Sequence, residues 1–587
     1  MQVSVVGDDP VREAVVTALD DVDIGVREAR PGELADARFA VVSDVAGSAT
    51  FDRANEAALE GGTPWIAVEI GGVGNHPLPD VDAAISGFAP ATACFDCLRA
   101  RVASNVEDRA AKPQADRAAA RLAGAIAGRE CVRVLSGDEE SIIGQVREVP
   151  HARRQILPVP GCTCAEGERD RTLERDAETL PLETAVEHVE GAIDDRVGPI
   201  SSIAEVESFP TPYYLSTVAD TTAYSDASAP RQAAGVADDW NAALMKAVGE
   251  GLERYCAGVY LEADFVHASE DDLERAVAPT DLVRPEDAPA YDPSDVHRWV
   301  PGENLTTGEE AHLPAAAVQF PQPGEALVPA ITTGLGLGSS TVDALVSGLT
   351  EVIERDATML AWYSTFEPLG LSVETDAFET LERRAQSEGL RVTPLLVTQD
   401  IDVPVVAVAV HRDPDVLDGD ESISPGDDAW PAFAVGSAAS LDAEAAATSA
   451  LEEAIQNWME LRSLGPDEAD DAGGAIGEYA AFPDRAREFV DVDRTVPAAS
   501  VGPDPVPSGA DRLEELCSRV RDADLTPAAA RLTTRDIEAL GFEAVRVVVP
   551  GAQPLFTDTP FFGERARTVP DELGFESRLE RAFHPYP

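Results

Sequence analysis

The chain has 587 residues, 44% of them hydrophobic, and a formal net charge of −62 from 107 acidic and 45 basic side chains. This length accommodates two or three domains with a substantial core, and so acidic a surface argues against a nucleic-acid partner, whose phosphates it would repel. The acids are spread along the chain rather than gathered in a tail, as expected of a halophilic protein folded in concentrated cytoplasmic salt, where screening removes self-repulsion. No run approaches the roughly 20 apolar residues that cross a bilayer, and the opening MQVSVVGDD lacks the basic region of a signal peptide. A cytoplasmic protein without membrane contact is expected, and there its seven cysteines argue against a disulfide framework.

In chain order, QVSVVG, VREAVVTALDD, FAVVSDV, FDRANEAALEG and TPWIAVEIGG alternate as strands and helices, predicting an α/β layer with a parallel sheet over 1–90. Its first turn, Gly7-Asp8-Asp9, lacks the glycine fingerprint of dinucleotide binding. A small helical module over 91–190 follows, rich in Ala and Arg with two cysteine pairs. From 191 to 587, apolar runs such as VRVVVP, VPVVAVAV and LRVTPLLV interleave with strong helices, predicting a large α+β domain. Asp- and Pro-rich stretches at 281–296, 412–429 and 464–510 read as surface loops or insertions. No internal repeat is visible beyond a doubled glutamate motif.

Cys94 and Cys97 form C-x-x-C, and Cys162 and Cys164 form C-x-C, both beside loop-forming residues. Four thiolates in two close pairs match a closed tetrahedral structural Zn²⁺ site. Cys131, Cys256 and Cys517 lie in apolar helical settings and read as packing residues.

Glu-x-x-Glu-Arg occurs at Glu250, Glu253 and Arg254 and again at Glu351, Glu354 and Arg355, each time inside an apolar segment. Each set shares one helical face, and like charges packed into an apolar stripe need a compensating cation. Mg²⁺ held against a triphosphate supplies one, although the chain has no Walker-type phosphate loop. A third copy, Glu379, Glu382 and Arg383, has polar neighbours and reads as an ordinary solvated helix. Upstream of the second set, Gly334, Gly336 and Gly338 suggest a turn leading through Ser339 into a helix N-terminus with Asp343, an arrangement suited to an anion. A further helix bears Glu453 and Gln456 one turn apart on an Ala- and Leu-rich face, where such a pair is as often a structural hydrogen bond as a ligand contact.

These three helices resemble the YcaO family, whose members bind ATP through glutamates on Mg²⁺. The resemblance covers about residues 190–587. It places Ala247, Glu250, Glu253 and Arg254 on the first family motif, Ser339, Asp343, Glu351, Glu354 and Arg355 on the second, and Glu453 and Gln456 on the third. It implies that the acids hold Mg²⁺ while the arginines and polar side chains contact phosphate and nucleotide. AVRVVVPGAQPLF and the terminal FHPYP are similar to the tail of the azoline-forming branch, with Pro585 and Pro587 matching and Phe583 in place of the first proline. The N-terminal part resembles the degenerate Rossmann, E1-like domain of cyclodehydratase partner proteins, in which zinc is structural.

Asp343 replaces the usual glutamate, and Gly235-Val236-Ala237 stands where relatives have Gly-Lys-Gly, leaving Arg231 or Lys246 to supply the phosphate contact. The chain starts directly on a strand, with no winged-helix module to hold a leader peptide. The resemblance implies ATP-dependent phosphorylation of a backbone amide and azoline formation from Cys, Ser or Thr in a ribosomally made peptide or protein, as in bacteriocin biosynthesis. His584 or the carboxylate at Pro587 is the expected general base. Thioamidation or sulfur insertion on a protein, E1-like adenylation and a non-catalytic peptide-binding scaffold stay open as alternatives. So do a flavin dehydrogenase or sulfur-transfer partner and a homodimer.

Overall fold

The computed structural model describes residues 2–106, 112–138, 140–150, 152–164, 169–175, 179–413, 430–469 and 474–587. Most of the 412–429 stretch read as a loop therefore lies outside the described residues. A seven-stranded sheet opens the chain, its strands ordered Gly25–Glu28, Gln2–Val6, Ala40–Val45, Trp65–Ile70, Ala83–Phe88, Gln145–Val149 and Ala152–Gln155. The first four are parallel and the rest antiparallel. Alternation along Gln2–Val6 feeds both faces: Val3 and Val5 pack with helices Val11–Asp20 and Arg117–Leu135, whereas Val6 packs toward Phe51 and Phe95 of helices Ala49–Gly61 and Phe95–Asn105. At the first turn Gly7 has φ +127, and a Cβ there would lie 2.0 Å from Ser43 Oγ, so only glycine fits. The sheet extends well past position 90. Its last two strands come from the segment expected to be a separate helical module, and their charged, half-exposed alternation concealed them.

Beyond a two-stranded sheet of Gly72–Val73 and His76–Pro77, three larger sheets follow among the described residues: Ile200–Glu207 with Tyr213–Val218 and Gln232–Val236; a six-stranded sheet from Val266–Ala268 to Leu335–Gly338; and a five-stranded sheet running from Phe433–Ala439 to Thr495–Pro497. The 464–510 stretch, expected to be loop, breaks the third acidic helix at Gly465 (φ 74), resumes a helical segment to Ala469, and contains helices Ile476–Tyr479 and Asp484–Val490 and the strand Thr495–Pro497.

The three acidic helices repeat one packing device. Trp240–Gly258 is capped by Asp239, Thr341–Trp362 by Ser340, and the helix beginning at Ala443 by Asp442. Each crosses a strand at a glycine. A Cβ on Gly235 would lie 2.5 Å from Ala243 O and 2.1 Å from Ala247 N. The corresponding distances are 2.2 Å to Ala344 O and 2.8 Å to Gly348 N for Gly336, and 2.6 Å to Ala450 O and 2.5 Å to Ala454 N for Gly436. The spacing within each pair is the same, so three strand–helix units present equivalent positions to one cleft. This triplication lies beyond the doubled motif visible in the sequence. Gly336 and Gly338 belong to a strand rather than a turn, and Gly336 serves helix packing.

The last residues are threaded into the core. Trp362 Nε1 donates to Ala582 O at 2.9 Å, Tyr479 Oη donates to Phe583 O at 2.7 Å, and Tyr586 is 1% exposed. Among the described residues no helix is long and apolar enough to cross a membrane.

Candidate active site

A cleft of about 1480 Å³ lies between the three units. Glu250, Glu253, Arg254, Ser339, Glu351, Glu354, Arg355, Glu453, Gln456 and Pro587 all line it. On each helix one glutamate reaches back to its strand: Ala234 N–H donates to Glu250 at 2.8 Å, Gly334 N–H to Glu351 at 2.9 Å and Ser437 N–H to Glu453 at 2.6 Å. These bonds fix three carboxylates at the cleft wall. Glu354 accepts from Ser437 Oγ at 2.6 Å. Arg355 Nη1 pairs with Glu354 at 3.4 Å without hydrogen-bond geometry, and its Nη2 stands 3.8 Å from Glu453. Arg254 is drawn aside onto Glu250 and Gln232 O.

Among the described residues nothing donates a hydrogen bond to Glu253. Burial, reinforced by the charges of Glu351 and Glu250, pushes its carboxyl well above the usual range. Burial also raises Glu351 and Glu453, and takes Glu354 to about 8 against the pull of Arg355. Arg546, held on the carbonyls of Thr332 and Ile331, is pushed down to about 10 by burial despite facing Glu351 and Glu253. The resident arginines thus leave the acids short of positive charge, the condition under which a divalent cation binds.

Ser339 and Asp343 sit at the cleft margin. Ser339 Oγ donates to Asp343 at 3.2 Å and accepts from Leu180 N–H at 3.0 Å. Asp343 does not line the cleft. Gln456 donates to Glu460 at 3.0 Å rather than to Glu453, and Tyr213 Oη donates to Glu460 at 3.2 Å. Glu460 was missed in the sequence: it holds the position on the third helix that Glu253 and Glu354 hold on theirs, but no arginine follows it. Of the two cations considered as phosphate contacts, Lys246 lines the cleft, paired with Glu452, and Arg231 does not.

The structure does not bring His584 to the cleft. It is fully buried and does not line the cleft; burial lowers it to about 4, so its ring is neutral near pH 7, and its Nε2 lies 2.7 Å from Phe556 O, to which it can only donate. Of the two residues expected at the terminus, Pro587 alone reaches the cavity wall. The third glutamate motif behaves as expected: Arg383 and Glu379 pair at 3.4 Å in solvent on helix Asp376–Ser387.

The YcaO cyclodehydratase profile, described as ATP- and Mg²⁺-binding, matches residues 234–553, which include all three acidic helices. The chain belongs to the YcaO cyclodehydratase family. It is an ATP-dependent enzyme of that family. An uncharacterized protein of Methanothermobacter thermautotrophicus is 28% identical over 346 residues, covering 56% of this chain and 82% of that one. The fold is that of two solved heterocyclases. A heterocyclase in complex with substrate and cofactor matches with a TM-score of 0.73 and 18% identity, covering 100% of this chain and 85% of that one. The heterocyclase TruD matches with a TM-score of 0.64 and 17% identity, covering 98% and 81%. Both likenesses take in the N-terminal sheet as well as the YcaO region.

Away from the cleft, four thiols gather. Cys94 Sγ lies 3.6 Å from Cys162 Sγ and 3.9 Å from Cys97 Sγ, Cys97 Sγ lies 3.5 Å from Cys164 Sγ, and the four sulfurs fall within 4.8 Å of one another. Val159 N–H donates to Cys97 Sγ at 3.3 Å and Arg535 approaches Cys164 Sγ at 3.6 Å. Cys131, Cys256 and Cys517 are buried elsewhere.

Proposed function

We propose that this YcaO cyclodehydratase converts Cys, Ser or Thr residues of a ribosomally made peptide or protein to azolines, using the acids of the three helices to hold Mg²⁺-ATP. The observation that carries the reading is Glu253, a cleft carboxylate with no protein donor beside two other acids. Mg²⁺ bound there would neutralise triphosphate charge. Glu250, Glu351 and Glu453, pinned to their strands, keep the site open at fixed geometry. Arg355, which lines the cleft, would place its positive charge near a transferring phosphoryl group.

The substrate's own thiol or hydroxyl adds to the preceding carbonyl carbon and loses its proton. The resulting oxyanion takes the γ-phosphoryl of ATP, releasing ADP. The carbon–oxygen bond then breaks, phosphate departs with that oxygen, and the amide nitrogen loses its proton as the ring's C=N bond forms. One water is lost from the peptide for each ATP split, and no covalent nucleophile is asked of the protein.

The four thiols fit Zn²⁺: sulfurs at about 2.3 Å from a tetrahedral ion lie roughly 3.8 Å apart, close to the spacing seen, and the donors from Val159 and Arg535 suit thiolates. A structural zinc in a degenerate E1-like N-terminal domain is part of this reading, as are a cytoplasmic setting and a salt-adapted acidic surface. Incubation with Mg²⁺-ATP and Cys-containing peptides tests it. Loss of water per modified residue with ADP release is expected. AMP with pyrophosphate would overturn it in favour of adenylation, and exchange of oxygen for sulfur in favour of thioamidation.

A further inference from the structure

The third acidic helix uses its second cleft acid differently from the other two. Among the described residues nothing donates to Glu253, and Glu354 accepts from Ser437 Oγ. Glu460, at the same place on its own helix, accepts two donors on one oxygen: Gln456 Nε2 at 3.0 Å from one turn earlier, and Tyr213 Oη at 3.2 Å from the strand Tyr213–Val218. The residue after it is the buried Leu461 instead of an arginine. Tyr213 is itself buried and pairs with Glu207 on one side and Val236 on the other, so the phenol that grips Glu460 is fixed by its sheet. Glu460 in turn grips the amide. With an N–H of Gln456 directed at this carboxylate, exchanging the amide nitrogen and oxygen would set acceptor against acceptor. The Gln456 oxygen is left as a free acceptor in the cleft wall, with no donor among the described residues. Its surroundings are short of positive charge. Glu453 lies one turn before it, burial raises both Glu453 and Glu460, and the charge of Glu250 adds to each. Arg254 is taken by Glu250 and Lys246 by Glu452. A neutral amide oxygen is a ligand that such a place can add to Mg²⁺ without a further negative charge.

We infer that Glu460 and Tyr213 are positioning residues that hold the Gln456 amide with its oxygen toward the cation bound in the cleft. The inference rests on the reading that acids of the three helices hold Mg²⁺ with ATP. It adds one neutral oxygen to a set of carboxylates, and it gives Glu460 to orientation, whereas Glu253 and Glu354 at the equivalent positions face the metal themselves.

Titration of the full-length protein with Mn²⁺, without nucleotide or chelator and followed by the electron paramagnetic resonance signal of the free ion, tests this apart from turnover. Gln456→Ala removes the oxygen and Glu460→Ala the acid that orients it. Each should weaken Mn²⁺ about tenfold, the scale of losing a group that orients a metal ligand. Glu460→Gln separates orientation from charge: its amide oxygen still accepts from Tyr213 and Gln456, so it should recover most of that loss. Tyr213→Phe keeps the packed ring and removes one hydrogen bond, which corresponds to about fivefold in affinity, and it carries the test should Glu460→Ala fail to fold. A Glu460→Gln protein as weak as Glu460→Ala would overturn the inference, because the charge of Glu460 would then serve the metal directly. Wild-type Mn²⁺ affinity in Gln456→Ala or Glu460→Ala overturns it as well, and if calorimetry of the same variant shows weakened Mg²⁺-ATP binding, the oxygen faces the nucleotide. Absence of Mn²⁺ binding by the wild type sinks instead the reading beneath, that these acids draw a divalent cation.

Discussion

Two helices carry the same Glu-x-x-Glu-Arg pattern and do opposite things with it. On Asp376–Ser387 the side chains of Arg383 and Glu379 are 63% and 50% exposed and satisfy each other in water. On Thr341–Trp362 those of Arg355 and Glu354 are 14% and 10% exposed, and Arg355 cannot satisfy the acids around it. Spacing sets which residues share a face, whereas burial decides whether that face stores unbalanced charge. A buried, under-compensated set is suited to a cation and a polyphosphate, whereas an exposed one is already satisfied by water.

The comparison breaks most sharply on substitution. Glu354→Gln should lower ATP-dependent dehydration of a peptide by about 100-fold or more, the scale of removing one preorganised electrostatic contact, as read by mass and ADP release. The same change at Glu379 should leave turnover and stability within about 0.5 kcal/mol of wild type, as for a surface position. Loss of activity in the Glu379 variant would erase the distinction between the two helices.

Acidity offers a second handle. In the metal-free protein Glu354 keeps its proton to about pH 8 instead of the ordinary 4.5. The folded state therefore binds more protons than the unfolded state across that window, and the stability present below 4.5 is lost as pH rises through about 8. Bound cation needs the ionised form, so Mg²⁺-ATP affinity should climb by up to about tenfold per pH unit toward 8 and then level off. Calorimetry in buffers of different ionisation enthalpy should show proton release below pH 8 and none well above it. A flat profile would mean that Glu354 is already ionised in the apo protein.

A smaller effect is expected at the thiols. Cys97→Ser should lower the melting temperature by at least about 5 °C through loss of a metal ligand, with zinc content falling in parallel. A melting point unchanged beside full zinc content would remove Cys97 from the site.

The acidic helices were legible because charge inside an apolar stripe is anomalous at the level of residue order. The thiol pairs were legible for the same reason, since cysteine spacing is a local property. What escaped notice depends on tertiary placement. Glu460 lacks a following arginine, and only the shared crossing of Gly235, Gly336 and Gly436 shows that it stands where Glu253 and Glu354 stand. Gln145–Val149 and Ala152–Gln155 carry no apolar run, so nothing local shows that they return to the first sheet. His584 near the terminus was expected at the reacting centre, but aromatic packing around Phe556 and Tyr586 draws it inward and out of the cleft wall.

The central claim is that acids from three helices hold a cation and a nucleotide that the protein's own arginines cannot replace. Calorimetric titration of Mg²⁺-ATP into wild type and Glu253→Gln addresses it directly. Saturable binding by wild type, absent without Mg²⁺ and weakened at least about tenfold by the substitution, is the expected result; equal affinity of the two proteins would contradict it.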